Sequence, residues 1–189
     1  MLRQLKIQTT KLHLQAEEKN KAKFIIDHSI SYEDYCLLLQ ENNSAYTILE
    51  NYISKYKHLL PDNLKAFADT RKSNALLHDL QANRCVLVDW DLSSSQMPSA
   101  PSCAALVGML YVIEGSMLGG MYISRHIVKC PQLQHLPPQT FFNGNAKDIT
   151  RRWKSFSEAV GGLTWSDAEV NEAIAAAKMS FDIFNQVYS

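Results

Sequence analysis

One apolar segment, residues 110–125, constrains the fold more than any other stretch of the chain. It has good helix formers at both ends but Gly115, Gly119 and Gly120 in its middle. A glycine inside a helix costs about 1 kcal/mol relative to alanine, so three of them carry a local penalty that some other interaction offsets. Three explanations are open: close packing of another helix, a flat ligand lying against bare backbone, or a bend.

Helical periodicity and capping signals divide the rest of the chain into helices. Ser31 with Asp34, and Thr164 with Asp167, have the spacing of helix N-termini. The only strand-like run, residues 85–88, has no partner strand, and we interpret it as buried coil or a helix end. The predicted helices are residues 2–19, 31–56, 62–70, 73–84, 102–128, 146–160 and 164–188. Helices without a sheet predict an all-α fold.

Length and charge limit the classes of protein that the chain can belong to. Its 189 residues predict a single domain over residues 1–189, and 19 basic residues balance 19 acidic ones, so nothing indicates a nucleic-acid partner. No signal-peptide pattern is found and no apolar run approaches 18 residues, which favours a soluble cytoplasmic protein without a membrane partner. Four scattered cysteines without a Cys-x-x-Cys motif suggest neither a zinc site nor a disulfide framework.

The first helix carries the best candidate for a ligand-binding side chain, His13. Lys6 lies two turns earlier on the same side, and Glu17 lies one turn later, where it can orient the imidazole directly or through water. A neutral imidazole can ligate a metal or haem iron, and a cation at that distance suits the anionic side groups of a tetrapyrrole. The alternative is a surface histidine in a basic helix. We interpret the other five histidines as structural or solvated, among them His28 near a turn and His126 near a helix end.

These separated features together resemble one known family. The N-terminal pattern Leu-Lys-x-x-Thr-x-x-Leu-His-x-x-x-Glu over residues 5–17, followed a hundred residues later by Leu-Tyr-Val-Ile-Glu-Gly-Ser-Met-Leu-Gly-Gly, resembles the haem oxygenase family. The similarity continues in Phe141-Phe142-x-Gly144, in Trp153-x-x-Phe156 and in the Ala-rich final helix. It covers essentially the whole chain in order, and it is closest to the bacterial biliverdin-producing branch associated with bacteriophytochromes.

The resemblance implies a compact all-α bundle with haem between a proximal and a distal helix. His13 would be the axial ligand, Glu17 its neighbour in the pocket, and Lys6 a partner of a haem propionate. Gly115, Gly119 and Gly120 would let the distal helix bend over the haem face. Further propionate or pocket contacts would come from Tyr111 and Arg125.

The reaction implied by the resemblance is oxygen-dependent opening of haem to biliverdin, ferrous iron and carbon monoxide. Electrons would come from a ferredoxin or a reductase, and a bilin-accepting protein is a possible further partner. Many family members carry Asp after the first glycine, where it orders the waters that deliver protons; this chain has Ser116. Two alternatives remain open: a non-catalytic haem or bilin carrier on the same fold, and a helical protein that uses its glycines only for packing.

Overall fold

A computed structural model describes residues 1–86, 97–143 and 145–188, and this part of the chain is helical with irregular connections and no strand. The prediction of an all-α fold is confirmed. Short 3-10 turns cover Lys57–Leu59 and Pro131–Leu133. The α-helices are α1 Leu2–Lys19, α2 Ala22–Ile26, α3 Tyr32–Lys55, α4 Asp62–Lys65, α5 Arg71–Ala82, α6 Cys103–Ile127, α7 Ala146–Gly161 and α8 Asp167–Val187.

Serine side chains start three of the long helices. The hydroxyls of Ser31 and Ser102 accept hydrogen bonds from backbone N–H groups three residues on, at the first turns of α3 and α6. Ser166 forms a complete capping box with Glu169, so α8 begins there and the predicted start at Thr164 is wrong by two residues. A serine oxygen satisfies N–H groups that a helix leaves unpaired at its N-terminus, which fixes where each helix begins.

The predicted cap at Asp62 is also wrong. Pro61 occupies the cap position of α4, and the Asp62 carboxylate instead accepts a hydrogen bond from Lys65 at 2.7 Å. The helix ends at Lys65 and does not continue to residue 70 as predicted. Single turns of this kind are weakly specified by sequence because they contain few helical hydrogen bonds.

The long helix α6 forms the centre of the molecule and packs against α8, α7 and α3. Its residues 104–114 are buried except for Tyr111, which is half-buried. α1 lies along α8. α6 is the one helix in the described ranges that is long and apolar enough to cross a membrane. From the sequence we expected no apolar run of about 18 residues. However, 56% of the apolar window of α6 is buried inside the protein. Its apolar character is thus explained largely by its place in the core.

α3 and α5 run antiparallel and are joined covalently. Tyr32 near the start of α3 donates a hydrogen bond to the carbonyl of Asn83 after α5, whereas Glu50 near the end of α3 accepts from Ser73 near the start of α5. This arrangement brings Cys36 and Cys85 into a disulfide with Cα atoms 5.5 Å apart. The expectation that the cysteines form no disulfide is therefore wrong, because two cysteines 49 positions apart become neighbours only through helix packing.

The strand-like run after α5 is coil in its described part. Cys85 is half-buried in the disulfide, but Val86 is 77% exposed, so burial was wrongly predicted there. Residues 87–96, which include the rest of that run and the start of the predicted 93–102 loop, lie outside the described residues, as do Gly144 and Ser189.

Candidate functional site

The environment of α6 changes at Gly115. Residues 104–114 are buried apart from the half-buried Tyr111, whereas every position from Gly115 to Val128 is half-buried or exposed. Gly108, Gly115 and Gly119 lie within about 20° of one helix face at 3.6 residues per turn. A Cβ added to Gly108 would lie 2.0 Å from the carbonyl oxygen of Ala173 in α8, but one added to Gly119 would meet no atom within 4 Å. The face that α8 fills at Gly108 is therefore open three turns later.

The glycines singled out from sequence are not the ones that allow close helix packing. Gly120, like Gly119, has open space at its Cβ position, and a Cβ on Gly115 would be 3.7 Å from the Trp153 ring, an ordinary contact. The glycine that lets two helix backbones meet is Gly108, which sequence analysis missed. Of the three explanations offered for residues 115–120, close packing is excluded for Gly119 and Gly120.

α1 lies beside this open part of α6 and contributes the candidate ligand. Thr9 of α1 lies close to the Tyr111 side chain of α6, and His13 and Gly115 each follow one turn later on their helices. Burial raises the pKa of Tyr111, and the nearby Thr9 side chain opposes that rise. The Tyr111 ring also contacts Trp153 of α7 at 5.9 Å between centroids. The two helices are thus in contact immediately before the candidate site.

His13 is accessible and partly oriented. Its side chain is 51% exposed, and its ring meets Phe181 of α8 edge-on, with centroids 5.7 Å apart. Its Nε2 lies 3.7 Å from a Glu17 carboxylate oxygen, close enough for electrostatic attraction but too long for a direct hydrogen bond. The predicted orienting role of Glu17 is therefore compatible with a water-mediated contact. Nε2 of the ring thus faces Glu17, and about half of the side chain is accessible to a ligand.

The two candidate cations, Lys6 and Arg125, are both exposed. Neither side chain forms an ion pair with any residue in the described ranges. Lys6 lies on the His13 side of α1, and Arg125 lies in the last turn of α6. Both are available to an anionic group of a ligand.

Ser116 is held from inside the protein by a tyrosine. The Ser116 hydroxyl donates to the carbonyl of Ile113 at 2.7 Å, so its oxygen accepts the hydrogen bond from Tyr46 at 2.5 Å. The Tyr46 ring lies edge-on to Phe141 and Phe184, and burial raises the pKa of its hydroxyl. Tyr46 is therefore a protonated donor fixed directly behind Ser116.

A buried ionic cluster supports the backbone just before Gly115. Glu114 accepts from Lys72 at 2.9 Å and from the Nε of Arg152 at 2.7 Å, and Arg152 also pairs with Asp69 at 3.1 Å. Burial acts to raise the pKa of Glu114, but Lys72 and Arg152 outweigh it and lower that pKa. The cluster fixes α6 to α5 and α7 at the point where the open half of the helix begins.

Sequence analysis missed two of these residues although each carried a signal. Tyr46 stands among predicted core positions of α3, where a buried hydroxyl requires a partner. Glu114 is a carboxylate inside an otherwise apolar helix, and such a group is seldom buried without a cation. Neither signal identifies the partner, which lies 70 residues away for Tyr46 and 42 for the Glu114–Lys72 pair.

A separate cavity of about 390 Å³ lies at the end of α6, between Tyr35, Ile127 and Phe142. None of the site residues predicted from sequence lines it. The candidate site is the open half of α6 beside α1 and not this cavity.

Together these features define an all-α protein in which a histidine-bearing helix lies beside the open half of a glycine-bearing helix. The family model described as heme oxygenase matches residues 1–189. The chain belongs to the haem oxygenase family.

Two individual proteins are similar to the chain. A heme oxygenase of Xanthomonas campestris pv. campestris (strain 8004) is 34% identical over 116 residues, which are 61% of this chain and 66% of that protein, so the match spans slightly less than two thirds of the relative. The solved structure of the NO- and CO-bound heme oxygenase from Neisseria meningitidis superimposes with a TM-score of 0.70, at 21% identity, over 99% of this chain and 89% of that one. The second similarity shows the fold.

Proposed function

We propose that this protein is a haem oxygenase that opens haem with molecular oxygen to biliverdin, ferrous iron and carbon monoxide. Haem would lie between α1 and the part of α6 that begins at Gly115, with His13 as its axial ligand. The observation that carries this proposal is the empty space at Gly119 and Gly120 on a helix that contacts the His13 helix. A side chain at either glycine would occupy space that a flat ring needs.

The side chains present suit haem as a substrate. Bound haem would supply the iron at which oxygen is activated. His13 offers an accessible imidazole, Glu17 lies beside its Nε2, and the exposed cations Lys6 and Arg125 suit propionates. Tyr111 would lie where α1 meets α6 and contribute to the wall of the pocket. These assignments give a role to an exposed cation on each of the two helices.

Proton handling is assigned to Ser116 and Tyr46. The Ser116 hydroxyl now donates to the Ile113 carbonyl, but rotation about its C–O bond would turn that proton toward the cleft while Tyr46 continues to donate to the same oxygen. Ser116 would thus take the place of the Asp found in many relatives. Tyr46 would keep the hydroxyl oriented, because its own proton stays in place at ordinary pH.

An external electron donor, either a ferredoxin or a reductase, is part of the proposal, and a bilin-accepting protein is a further candidate partner. The first 23 residues carry six basic side chains against two acidic ones. Ile7 and Leu14 are exposed on the same helix. A basic surface with apolar side chains fits an acidic donor, and the rate of electron delivery should fall as ionic strength rises.

The proposed compartment is the cytoplasm. A cytoplasmic protein would be exposed to thiol reductants, under which disulfides such as Cys36–Cys85 seldom persist. The redox state of these two cysteines in protein trapped from cells therefore tests the compartment, since a fully oxidised pair would indicate an oxidising location.

Hemin titration followed by turnover tests the function. We expect a sharp Soret band at one equivalent of hemin, and conversion to a biliverdin spectrum on addition of oxygen and a reductant. His13→Ala should lose the normal axial spectrum, whereas His58→Ala, a change at another exposed histidine, should keep it. An unchanged spectrum in His13→Ala would refute the ligand assignment, and a stable oxygen complex without ring opening would refute turnover.

A further inference from the structure

The second half of α6 is fastened to the protein by few polar contacts. At its beginning Ser116 pairs with Tyr46, and at its end His126 pairs with His28, which follows α2. Just beyond the helix the Cys130 thiol lies 3.5 Å from the carbonyl of Ile25. Residues 115–128 are only partly buried, so packing fixes them less than it fixes the first half of the helix. These polar contacts therefore contribute more to holding the second half of α6 in place.

The His28–His126 pair meets end to end. Nε2 of His28 lies 3.1 Å from Nδ1 of His126, and the ring centroids are 5.3 Å apart with planes 27° apart. A 3.1 Å separation of the nitrogens is compatible with centroids 5.3 Å apart only if both nitrogens lie almost on the line that joins the centroids. That is the geometry of an N–H···N hydrogen bond and not of face-to-face stacking.

His28 is not the solvated turn residue predicted from sequence. It is half-buried and has a φ of 63°, in the left-handed region that residues other than glycine seldom adopt. A backbone conformation of this kind persists where surrounding contacts fix it, and the bond to His126 is such a contact.

The protonation of the pair decides whether this bond exists. A neutral imidazole has one donor and one acceptor, whereas an imidazolium has two donors and no acceptor. The pair is stable when both rings are neutral or when one is charged. When both are charged, two donors and two like charges face each other, and the bond is lost. Histidine is the side chain whose charge ordinarily changes between pH 5 and 8.

Charged and titratable groups lie near both rings of the pair. The Asp27 carboxylate is close enough to attract a charged His28. His126 lies in the last turn of α6, where the helix dipole favours a cation. Two basic residues are close to His126 in sequence: Arg125 directly precedes it and Lys129 follows three residues later. The other titratable neighbours are the Tyr122 ring, whose centroid lies 4.7 Å from that of His126, and the Cys130 thiol, whose pKa is raised by burial.

We propose that the His28–His126 pair is a pH-sensitive fastening for the second half of α6, closed while at least one ring is neutral and released when both rings are protonated. That this half covers haem rests on the function proposed above, and the release would then speed exchange of haem or product. His28 and His126 are positioning residues and make no contact with the reacting atoms.

Hydrogen exchange of the haem-free protein tests the fastening without relying on haem. Protection of residues 115–128 is compared at pH 7.5 and 5.5 after correction for the intrinsic exchange rate. We expect the wild type to lose protection by roughly two- to tenfold, the range for one net hydrogen bond, while residues 104–114 stay unchanged. In His126→Ala, residues 115–128 should be as weakly protected at pH 7.5 and at pH 5.5 as they are in the wild type at pH 5.5.

A matched variant separates titration from simple packing. In the double variant His28→Gln, His126→Asn, the amide nitrogens and oxygens stand near the original Nε2 and Nδ1 positions but do not titrate, so protection should be retained at pH 5.5. His58→Gln serves as the control for loss of an exposed histidine. Equal pH dependence in the wild type and the double variant would overturn the proposal.

Haem transfer to excess apomyoglobin gives a second readout. The wild type should release haem roughly two- to tenfold faster at pH 5.5 than the double variant does. If the exchange pattern is found but the protein does not bind hemin, the fastening is supported and the proposed function fails. If hemin binds and both proteins respond to pH alike, the fastening fails and the proposed function stands.

Discussion

Gly108 and Gly119 lie three turns apart on one face of α6, and the same substitution should have opposite effects at the two positions. A Cβ at Gly108 would stand 2.0 Å from the oxygen, 2.8 Å from the carbon and 2.9 Å from the Cα of Ala173. These are backbone atoms of α8, so relief requires the two helices to separate by more than an ångström. At Gly119 the Cβ would meet no atom within 4 Å.

The magnitudes follow from two opposing effects. Alanine gains about 1 kcal/mol of helix propensity over glycine at either position. Overpacking in a core costs typically 1–3 kcal/mol, and backbone contacts this short place Gly108→Ala at about 3 kcal/mol or more. The net change is a loss of about 2 kcal/mol for Gly108→Ala, or roughly 4–8 °C in Tm for a chain of this length, against a rise of roughly 2–4 °C for Gly119→Ala.

Gly119→Ala should lower haem binding or turnover although it raises the Tm. Its added methyl projects into the proposed haem space, so we expect hemin affinity or ring-opening rate to fall by about tenfold or more, equivalent to ~1.4 kcal/mol. Thermal melts of the haem-free proteins, followed by hemin titration, measure both effects. An unaltered Tm in Gly108→Ala would refute the packing argument. A Gly119→Ala protein with normal hemin binding and turnover would refute the placement of haem.

Three further predictions concern contacts that join distant parts of the chain. The double variant Cys36→Ser, Cys85→Ser lacks the disulfide, and its free energy of unfolding should fall by about 4 kcal/mol, the loop-closure entropy expected for a separation of 49 residues. Urea unfolding measures this loss. Reductant should destabilise the wild type but not the variant. Glu114→Gln leaves the buried Lys72 without its carboxylate partner, whereas Arg152 keeps Asp69, and should cost about 3–5 kcal/mol. Glu158→Gln at the exposed pair with Lys154 should change stability by less than about 1 kcal/mol. Because the folded-state pKa of Glu114 is lowered, the stability it contributes is present above its unfolded pKa and is lost as pH falls through the folded value. Stability should therefore fall less steeply with decreasing pH in Glu114→Gln than in the wild type. An identical acid limb of the stability–pH curve would contradict the assignment. Tyr46→Phe should cost about 1 kcal/mol of stability and slow ring opening by about tenfold or more with hemin affinity unchanged, and a normal rate would exclude Tyr46 from proton handling.

The sequence predicted the helices well where their signals are local. α1, α3, α6 and α7 begin and end within two residues of the predicted bounds, because amphipathic periodicity, serine caps and terminal glycines act within a turn or two. The errors fall where the local signal is ambiguous, as at Thr164 and Ser166, or where a single turn such as α4 depends on its neighbours.

The site was predicted in part. His13, Lys6, Glu17 and the glycine segment were chosen from sequence, and in the structure they are at least partly accessible. Their roles remain proposals. The partners of buried groups were not predicted. Tyr46, Glu114 and His28 each pair with a residue at least 38 positions away, and no local pattern encodes such a distance.

The sequence by itself thus determined the family resemblance, the helical class and the helix that carries each candidate residue, because these depend on order and local spacing. The tertiary structure decided which glycine of α6 touches a neighbouring helix and which faces open space. Gly108 and Gly119 are chemically identical residues on one face of one helix. Only the position of Ala173 in α8 distinguishes them, and that position is set by the packing of the whole chain.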